Sequence, residues 1–223
     1  MIEIFTKNQV LQPKIICVGL NYTDHAKEQG AEIPQHPVFF TRFPSSFVAA
    51  GEALVCPKVS DKFDYEVELA IVIGKRAHHV KKADALEYIY GYTVANDGSV
   101  RDYQKRTHQW TLGKSFDKSA SILGDIVPAA KLPAGAKGLK MTTKINGELL
   151  QDGNTSDMIF DVPALIEALT EVMTLEPGDV ILTGTPAGVG MARKPFVWMK
   201  PGDTVEVAIE KIGTLTNKVV AEA

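Results

Sequence analysis

Apolar and polar residues alternate along much of this chain with a period of two, the spacing that gives a β-strand one buried and one wet face. The pattern is clearest near the C-terminus, where Val205, Val207 and Ile209 alternate with Glu206, Ala208 and Glu210. Further strand signals lie at KIICVGL (14–20), HPVFFTRF (36–43), ELAIVIGK (68–75), YTVAND (92–97), KMTTKING (140–147) and DVILTGT (179–185). Two Pro-Gly turns of one kind, EPGD (176–179) and KPGD (200–203), each launch a strand. Helical spacing is rarer. Residues 161–173 place Leu165, Ile166, Leu169, Val172 and Met173 on one face behind an Asp161 N-cap and Pro163. A helix over 99–110 opens with a capping-box pattern from Ser99 to Asp102, and a short one over 23–30 starts at Thr23 and stops near Gly30. Strands outnumber helices and do not alternate with them. The expected fold is therefore α+β and β-rich, with an antiparallel or mixed sheet.

One strand breaks its own pattern. DYEVELAIVIGK (64–75) is apolar over its second half, yet Glu66 and Glu68 sit in its first. Alternation puts Asp64, Glu66 and Glu68 on one face and Tyr65, Val67, Leu69 and Ile71 on the other. Two like charges this close repel, and burial would cost each its hydration. Either this face is wet, or a divalent cation compensates the pair. The continuation of the face as Ala70 and Val72 argues for burial. Asp97, at the end of the YTVAND strand, stands ready as a third carboxylate or as part of an Asn-Asp-Gly turn. Three carboxylates would form a hard oxygen site for Mg²⁺, Mn²⁺ or Ca²⁺. His25 and Glu28 share a helix face at i,i+3, an orienting pair for a general base or a solvated pair. The loop GTPAGVG (184–190) lacks the Lys-Ser/Thr ending of a P-loop and the dinucleotide pattern, but its backbone N–H groups and Thr185 could meet an anion. His36, His78, His79 and His108 carry no usable signal.

Composition narrows the function classes. The 223 residues suffice for one large domain or two small ones, and a net charge of −3 gives no basic surface for nucleic acid or anionic membrane. No apolar run near the N-terminus has the length of a signal peptide or membrane span. Cys17 and Cys56 form neither a disulfide framework nor a zinc site, and are expected as reduced core residues of a cytoplasmic protein.

The succession GLNYTDHAKE, DYEVELAIVIGK, GYTVANDGSVRDYQ, WTLGKSFD, LTGTPAGVG and GDTVEVAIEKIGTL resembles the fumarylacetoacetate hydrolase family from about Lys14 to the C-terminus. It is most similar to the short, single-domain acylpyruvate hydrolases, oxaloacetate decarboxylases and fumarylpyruvate hydrolases. The resemblance implies one catalytic domain over 1–223, with a short N-terminal strand segment over 1–13. It implies a β-roll or sandwich of mostly antiparallel strands with a few peripheral helices, commonly homodimeric. It implies Glu66, Glu68 and Asp97 as ligands to Mg²⁺ or Mn²⁺, and His25, Glu28 and Lys114 as catalytic residues. Arg42, Gln104 and Thr185 fall on substrate-contacting positions. Two positions depart from the family pattern. Arg42 stands where Lys is frequent, which puts a substrate or lid contact in question. Gly98 stands where the common pattern has Val, and is expected to loosen the turn that aims Asp97.

The implied activity is metal-dependent cleavage of the C3–C4 bond of an acylpyruvate, a small 2-oxo acid, to pyruvate and a carboxylic acid, with His25–Glu28 activating water. Oxaloacetate decarboxylation, 2-oxo-dienoate hydration or isomerisation in aromatic catabolism, and a binding protein without turnover are the alternatives.

Overall fold

The computed structural model describes residues 13–223, so the strand segment expected over 1–13 lies, apart from Pro13, outside the described residues. Two sheets carry the fold. The larger runs in the order Val38–Thr41, Ile15–Gly19, Val180–Leu182, Val67–Ile73, Ile89–Asn96, Ala120–Ile122, Phe47–Ala49, with Val127–Pro128 pairing onto Ile89–Asn96. It is mixed: Ile15–Gly19 runs parallel to Val180–Leu182, and Phe47–Ala49 parallel to Ala120–Ile122. The smaller sheet runs Glu148–Asn154, Lys140–Ile145, Thr204–Ile209, Gly213–Ala221, Leu54–Cys56, antiparallel except for its last pair. Each strand expected from Lys14 onward is present, and the mixed, strand-rich α+β architecture is the one the pattern predicts.

The two sheets share one apolar core. Tyr65, Val67, Leu69 and Ile71 meet it from one side, Met141, Val207 and Leu215 from the other. A smaller cluster of Cys17, Phe40, Ala70, Ala95 and Leu182 covers the opposite face of the larger sheet. The Val67–Ile73 strand is thus buried on both faces along its whole length. That settles the direction of the acidic face: Glu66 and Glu68 point into the protein. The smaller sheet keeps the simple alternation, with Val205, Val207 and Ile209 buried and their neighbours half-exposed.

The helices differ more from expectation. Val162–Val172 is capped as expected, with Asp161 accepting from the Ala164 N–H at 3.0 Å. Leu165, Ile166 and Leu169 are buried, but Val172 is 77% exposed, because the helix ends there before its last turn reaches the core. The helix expected over 99–110 is broken up. Ser99–Val100 is a short strand paired with Phe63–Asp64, and the helical pieces are Arg101–Gln104 and Thr111–Lys114. Ser99 donates its hydroxyl to the Asp97 carbonyl, so it belongs to the turn and not to a capping box. Helix Thr23–Glu28 starts after Tyr22, without a side-chain cap, and Gly30 at φ 67° ends it. Cys17 is buried and Cys56 half-buried; both are free thiols.

Candidate metal centre and active site

Three carboxylates from two neighbouring strands converge. Glu66 and Glu68 come from the entry of the Val67–Ile73 strand. Asp97 follows the antiparallel Ile89–Asn96 strand, whose register pairs Val67 with Asn96. The Asp97 N–H donates to the Glu66 carbonyl at 2.9 Å, and Glu66 N–H to the Asn96 side chain at 2.9 Å, which locks the turn to the strand. One oxygen from each of Glu66, Glu68 and Asp97 lies within 4.8 Å of the others, and all three residues are buried.

Cations hold this cluster together unevenly. Lys114, itself buried, places its Nζ 2.6 Å from Glu66 Oε2 and also on Asp97 Oδ2. Arg101 reaches Glu66 Oε1 at 2.7 Å and Asp64 Oδ2 at 2.8 Å. Arg42 donates to Asp97 Oδ1 at 2.6 Å, to the Gly98 carbonyl at 2.9 Å and to Ser119 at 2.8 Å. Among the described residues, no cation pairs with Glu68, which accepts a hydrogen bond only from the Gly184 N–H, at 2.8 Å. The consequences are opposite. Burial favours the neutral form of Glu66, but Lys114 and then Arg101 outweigh it and hold the carboxyl at about 2. Burial raises Glu68 well above the usual range, and repulsion from Asp97 and Glu66 adds to it. For Lys114, burial opposes the charge, but Asp97 and Glu66 win and raise it.

This donor set fits a divalent cation. Its atoms are hard oxygens, suited to Mg²⁺ or Mn²⁺. Four buried carboxylates, Asp64 included, face three buried cations, Arg42, Arg101 and Lys114. With every group ionised, one negative charge is left over, and it falls on Glu68.

The cluster opens into a cavity of about 230 Å³. Glu66, Glu68, His25, Lys114, Gln104 and Thr185 line it, as the sequence leads one to expect; Arg101, Gln29, Lys105 and Trp110 complete the walls. Gly19 makes room for Trp110, since a Cβ there would sit 2.0 Å from the indole. His25 Nδ1 lies 2.7 Å from Glu28 Oε1, and Glu28 Oε2 accepts the Gly188 N–H at 2.8 Å. The i,i+3 pair is therefore a held pair, not a solvated one. Gln29 Nε2 lies 2.6 Å from His25 Nε2, the ring nitrogen that faces the cavity residues.

Two expectations need correction. Arg42 does not line the cavity; it is buried behind Asp97, with its guanidinium committed to the contacts above. It holds Asp97 in place from behind. Gly98 does not loosen the turn: a Cβ there would fall 2.0 Å from the Ser119 carbonyl, so the chain passes too close for any side chain. The Gly-rich loop does bind anions, but they are the protein's own. Gly184, Gly188, Gly190 and Met191 donate to Glu68, Glu28 and Asp64. Sequence reasoning missed Arg101, Gln29 and Gln151. Gln151 lies on the smaller sheet and donates to Thr185 Oγ1 at 2.8 Å, while its own oxygen accepts from Val67 N–H. Only Asp64 had a signal, its place in the alternation.

A buried all-carboxylate centre beside a histidine–carboxylate pair, walled by two mixed sheets, defines the class of site. Residues 14–220 match the fumarylacetoacetate (FAA) hydrolase C-terminal family, and the chain belongs to that family. The mitochondrial oxaloacetate tautomerase Fahd2a of Rattus norvegicus is 46% identical over 93% of this chain, and the human FAHD2A protein of the same name is 46% identical over the same share. The chain spans 66% of the length of each. Among solved structures, the fumarylpyruvate hydrolase of Pseudomonas aeruginosa, in complex with Mn²⁺ and pyruvate, superposes with a TM-score of 0.84 at 32% identity, covering 97% of this chain and 93% of that one. The 5-carboxymethyl-2-hydroxymuconate delta-isomerase of Mycobacterium smegmatis superposes with a TM-score of 0.83 at 39% identity, covering 96% and 81%. No helix among the described residues is long and apolar enough to cross a membrane.

Proposed function

We propose that this chain is a divalent-metal-dependent enzyme that forms and reprotonates the enolate of a small 2-oxo acid, with oxaloacetate as the substrate type. The observation that carries this reading is the placement of Glu66, Glu68 and His25 on the walls of one small cavity, with Glu28 holding His25 Nδ1 from behind. Glu66, Glu68 and Asp97 would hold Mg²⁺ or Mn²⁺, which when bound supplies Lewis-acid polarisation to a chelating 2-oxo carboxylate.

The chain's own residues account for the rest. With Glu28 accepting the Nδ1 proton, His25 keeps a lone pair on Nε2 and can take a proton from C3 and return it. Lys114 brings an ammonium to the side of the cavity where enolate charge develops. Thr185 already accepts from Gln151, which leaves its O–H to donate into the cavity. Gln104 accepts from Arg101 at 2.9 Å, which leaves its NH₂ to donate. Both suit a substrate carboxylate.

Tautomerisation ranks first because it needs no attacking water; in either reading the Gln29 amide on His25 Nε2 has to give way to the reacting group. The names of the 46%-identical relatives agree. Hydrolysis of acylpyruvates is the second reading, favoured by the structural likeness to the fumarylpyruvate hydrolase; His25 would then activate water. Both readings predict activity that disappears with chelator. The test is a panel of enol-oxaloacetate, acetylpyruvate, fumarylpyruvate and a 2-oxo-hepta-dienoate, each with Mg²⁺ or with EDTA. Enol–keto exchange of oxaloacetate that outpaces pyruvate release from the acylpyruvates supports the first reading. Turnover that survives complete metal removal overturns both.

A further inference from the structure

His25 is bonded at both ring nitrogens. Nδ1 lies 2.7 Å from Glu28 Oε1, and Nε2 lies 2.6 Å from the Gln29 amide nitrogen. With the Glu28 carboxylate accepting the Nδ1 proton, Nε2 carries the lone pair, and only an N–H of Gln29 can meet it. A base capped in this way has no lone pair to offer. The backbone beneath the cap is fixed: the N–H groups of Gln29, Gly30 and Ala31 donate to the carbonyls of His25, Lys27 and Ala26 at 3.3, 3.0 and 2.9 Å. The Gln29 side chain is held less firmly. It is half-buried, it lines the cavity, and His25 is its one hydrogen-bond partner among the described residues. Uncapping the base therefore takes a side-chain rotation and no backbone movement. The cations of the cavity wall are also unevenly committed. Arg101 is paired with Asp64 and Glu66, and Lys114 with Glu66 and Asp97. Lys105 lines the same cavity without an acid partner among the described residues, whereas its neighbour Arg106 is turned onto the Tyr103 ring, 3.4 Å from its centre.

We infer that Gln29 is a specificity-determining latch: its amide leaves His25 Nε2 to bind a second carboxylate at C4 of the substrate, with Lys105 supplying the opposing charge, so that a 2-oxo diacid frees the base and a 2-oxo monoacid does not. This rests on the enolate-forming reading above. That reading brings C3 to His25 Nε2, and the C4 carboxylate of a four-carbon diacid is one bond from C3. Its oxygens therefore arrive beside the group that caps Nε2. Left alone there, the carboxylate would face the Nε2 lone pair, and the two would repel. Gln29 resolves the conflict by exchanging one acceptor for another: its N–H gives up a neutral lone pair and gains a charged oxygen, the stronger of the two hydrogen bonds. The exchange costs little for a diacid. With a monoacid the N–H loses the imidazole and gains nothing from the substrate. Once the latch has moved, Nε2 takes the proton as the C3–H bond breaks, the electron pair passes into the C2–C3 bond of the enolate, and the same nitrogen returns a proton to carbon.

The experiment is deuterium exchange at C3, followed by proton NMR in D₂O with Mg²⁺ and corrected for the rate in buffer, with oxaloacetate and with 2-oxobutyrate, which lacks the second carboxylate. Each variant is compared with the wild type on the same acid, so the intrinsic acidity of C3 cancels. In Gln29→Met the cap and the carboxylate donor are both gone. KM for oxaloacetate is expected to rise about tenfold, the low end for a hydrogen bond to a charged group, while exchange of 2-oxobutyrate rises severalfold because its base is no longer capped. In Gln29→Glu a carboxylate faces the incoming one, and kcat/KM should fall at least about tenfold more for oxaloacetate than for 2-oxobutyrate; this variant decides the matter if Gln29→Met does not fold by circular dichroism. A folded variant that changes both acids by the same factor, or neither, overturns the inference and leaves the proposed function standing. Wild-type exchange of neither acid, or exchange that survives EDTA, overturns the enolate-forming reading itself.

Discussion

The two sheets of this protein spend their buried positions differently. The smaller sheet puts Val205, Val207, Ile209 and Leu215 inward and polar residues outward, and its interior holds apolar packing with few charges. The larger sheet is buried on both faces around Val67–Ile73, and at the entry of that strand it buries four carboxylates and three cations. Burial of paired charges contributes little net stability, and an incompletely paired one subtracts from it. The comparison teaches that one layer holds the fold together while the other tolerates electrostatic cost where chemistry is needed. Gln151 links them, reaching from the smaller sheet to Val67 and Thr185.

The comparison can be broken by substitutions on either side. The largest effect is expected from Glu68→Ala. It should remove Mn²⁺ binding and turnover while leaving the metal-free melting temperature unchanged or higher, because it deletes the carboxylate without a cation. Wild-type turnover in this variant would take Glu68 out of the ligand set. His25→Ala should lower turnover by about 10²–10⁴, the usual range for a general base, with the Mn²⁺ dissociation constant unchanged. A change in metal affinity of the same size would mean that His25 acts on the centre itself. On the other sheet, Leu215→Ala should cost about 2–5 kcal/mol of stability, as buried leucine truncations do, and leave kcat unaltered below the melting range. A drop in kcat without loss of stability would show that the layers are not separate.

The smallest effect sharpens the contrast by pH. Glu68 is raised in the folded protein, so its contribution favours folding below its ordinary value near 4.5 and is lost as pH rises through the raised value. Glu66, held at about 2, contributes stability that is present above 4.5 and lost only as pH falls through 2. A cation needs Glu68 ionised, so Mn²⁺ binding releases its proton. The Mn²⁺-induced rise in melting temperature should therefore be greater at pH 8 than at pH 5. Equal rises at the two pH values would contradict the assignment of the raised group.

Alternation alone revealed the strands and the shared face of Asp64, Glu66 and Glu68, while Ala70 and Val72 only argued for its burial over a wet face. It could do so because a strand's side-chain direction is a local property. The Asp161 cap and the Gly30 stop were legible for the same reason. The broken segment after Asp97 was not: its residues have helical spacing, but Ser99–Val100 pairs with Phe63–Asp64, a contact that no window of sequence contains. Arg101, Arg42 and Gln151 illustrate the limit at the site. Each acts through a partner at least 37 positions away, and an Arg or Gln in a polar stretch has no spacing that marks it as buried. The resemblance pointed to the three carboxylates that converge, but it assigned Arg42 to substrate, since a list of site positions does not distinguish a residue facing the cavity from one behind it.

The loop from Gly184 to Met191 shapes how such a site can diversify. Its main-chain N–H groups hold Glu68, Glu28 and Asp64 together, and no replacement other than by proline deletes a main-chain donor. A one-residue insertion or deletion there would instead shift three acids from three elements in a single event, as would a side chain at Gly188, where a Cβ would meet the Leu150 carbonyl at 2.4 Å. A change at Lys105 or Trp110, which line the same cavity, is expected to alter which substrate fits and to leave these three acids in place. The loop thus couples three acids through one stretch of main chain, whereas these cavity residues can change one at a time.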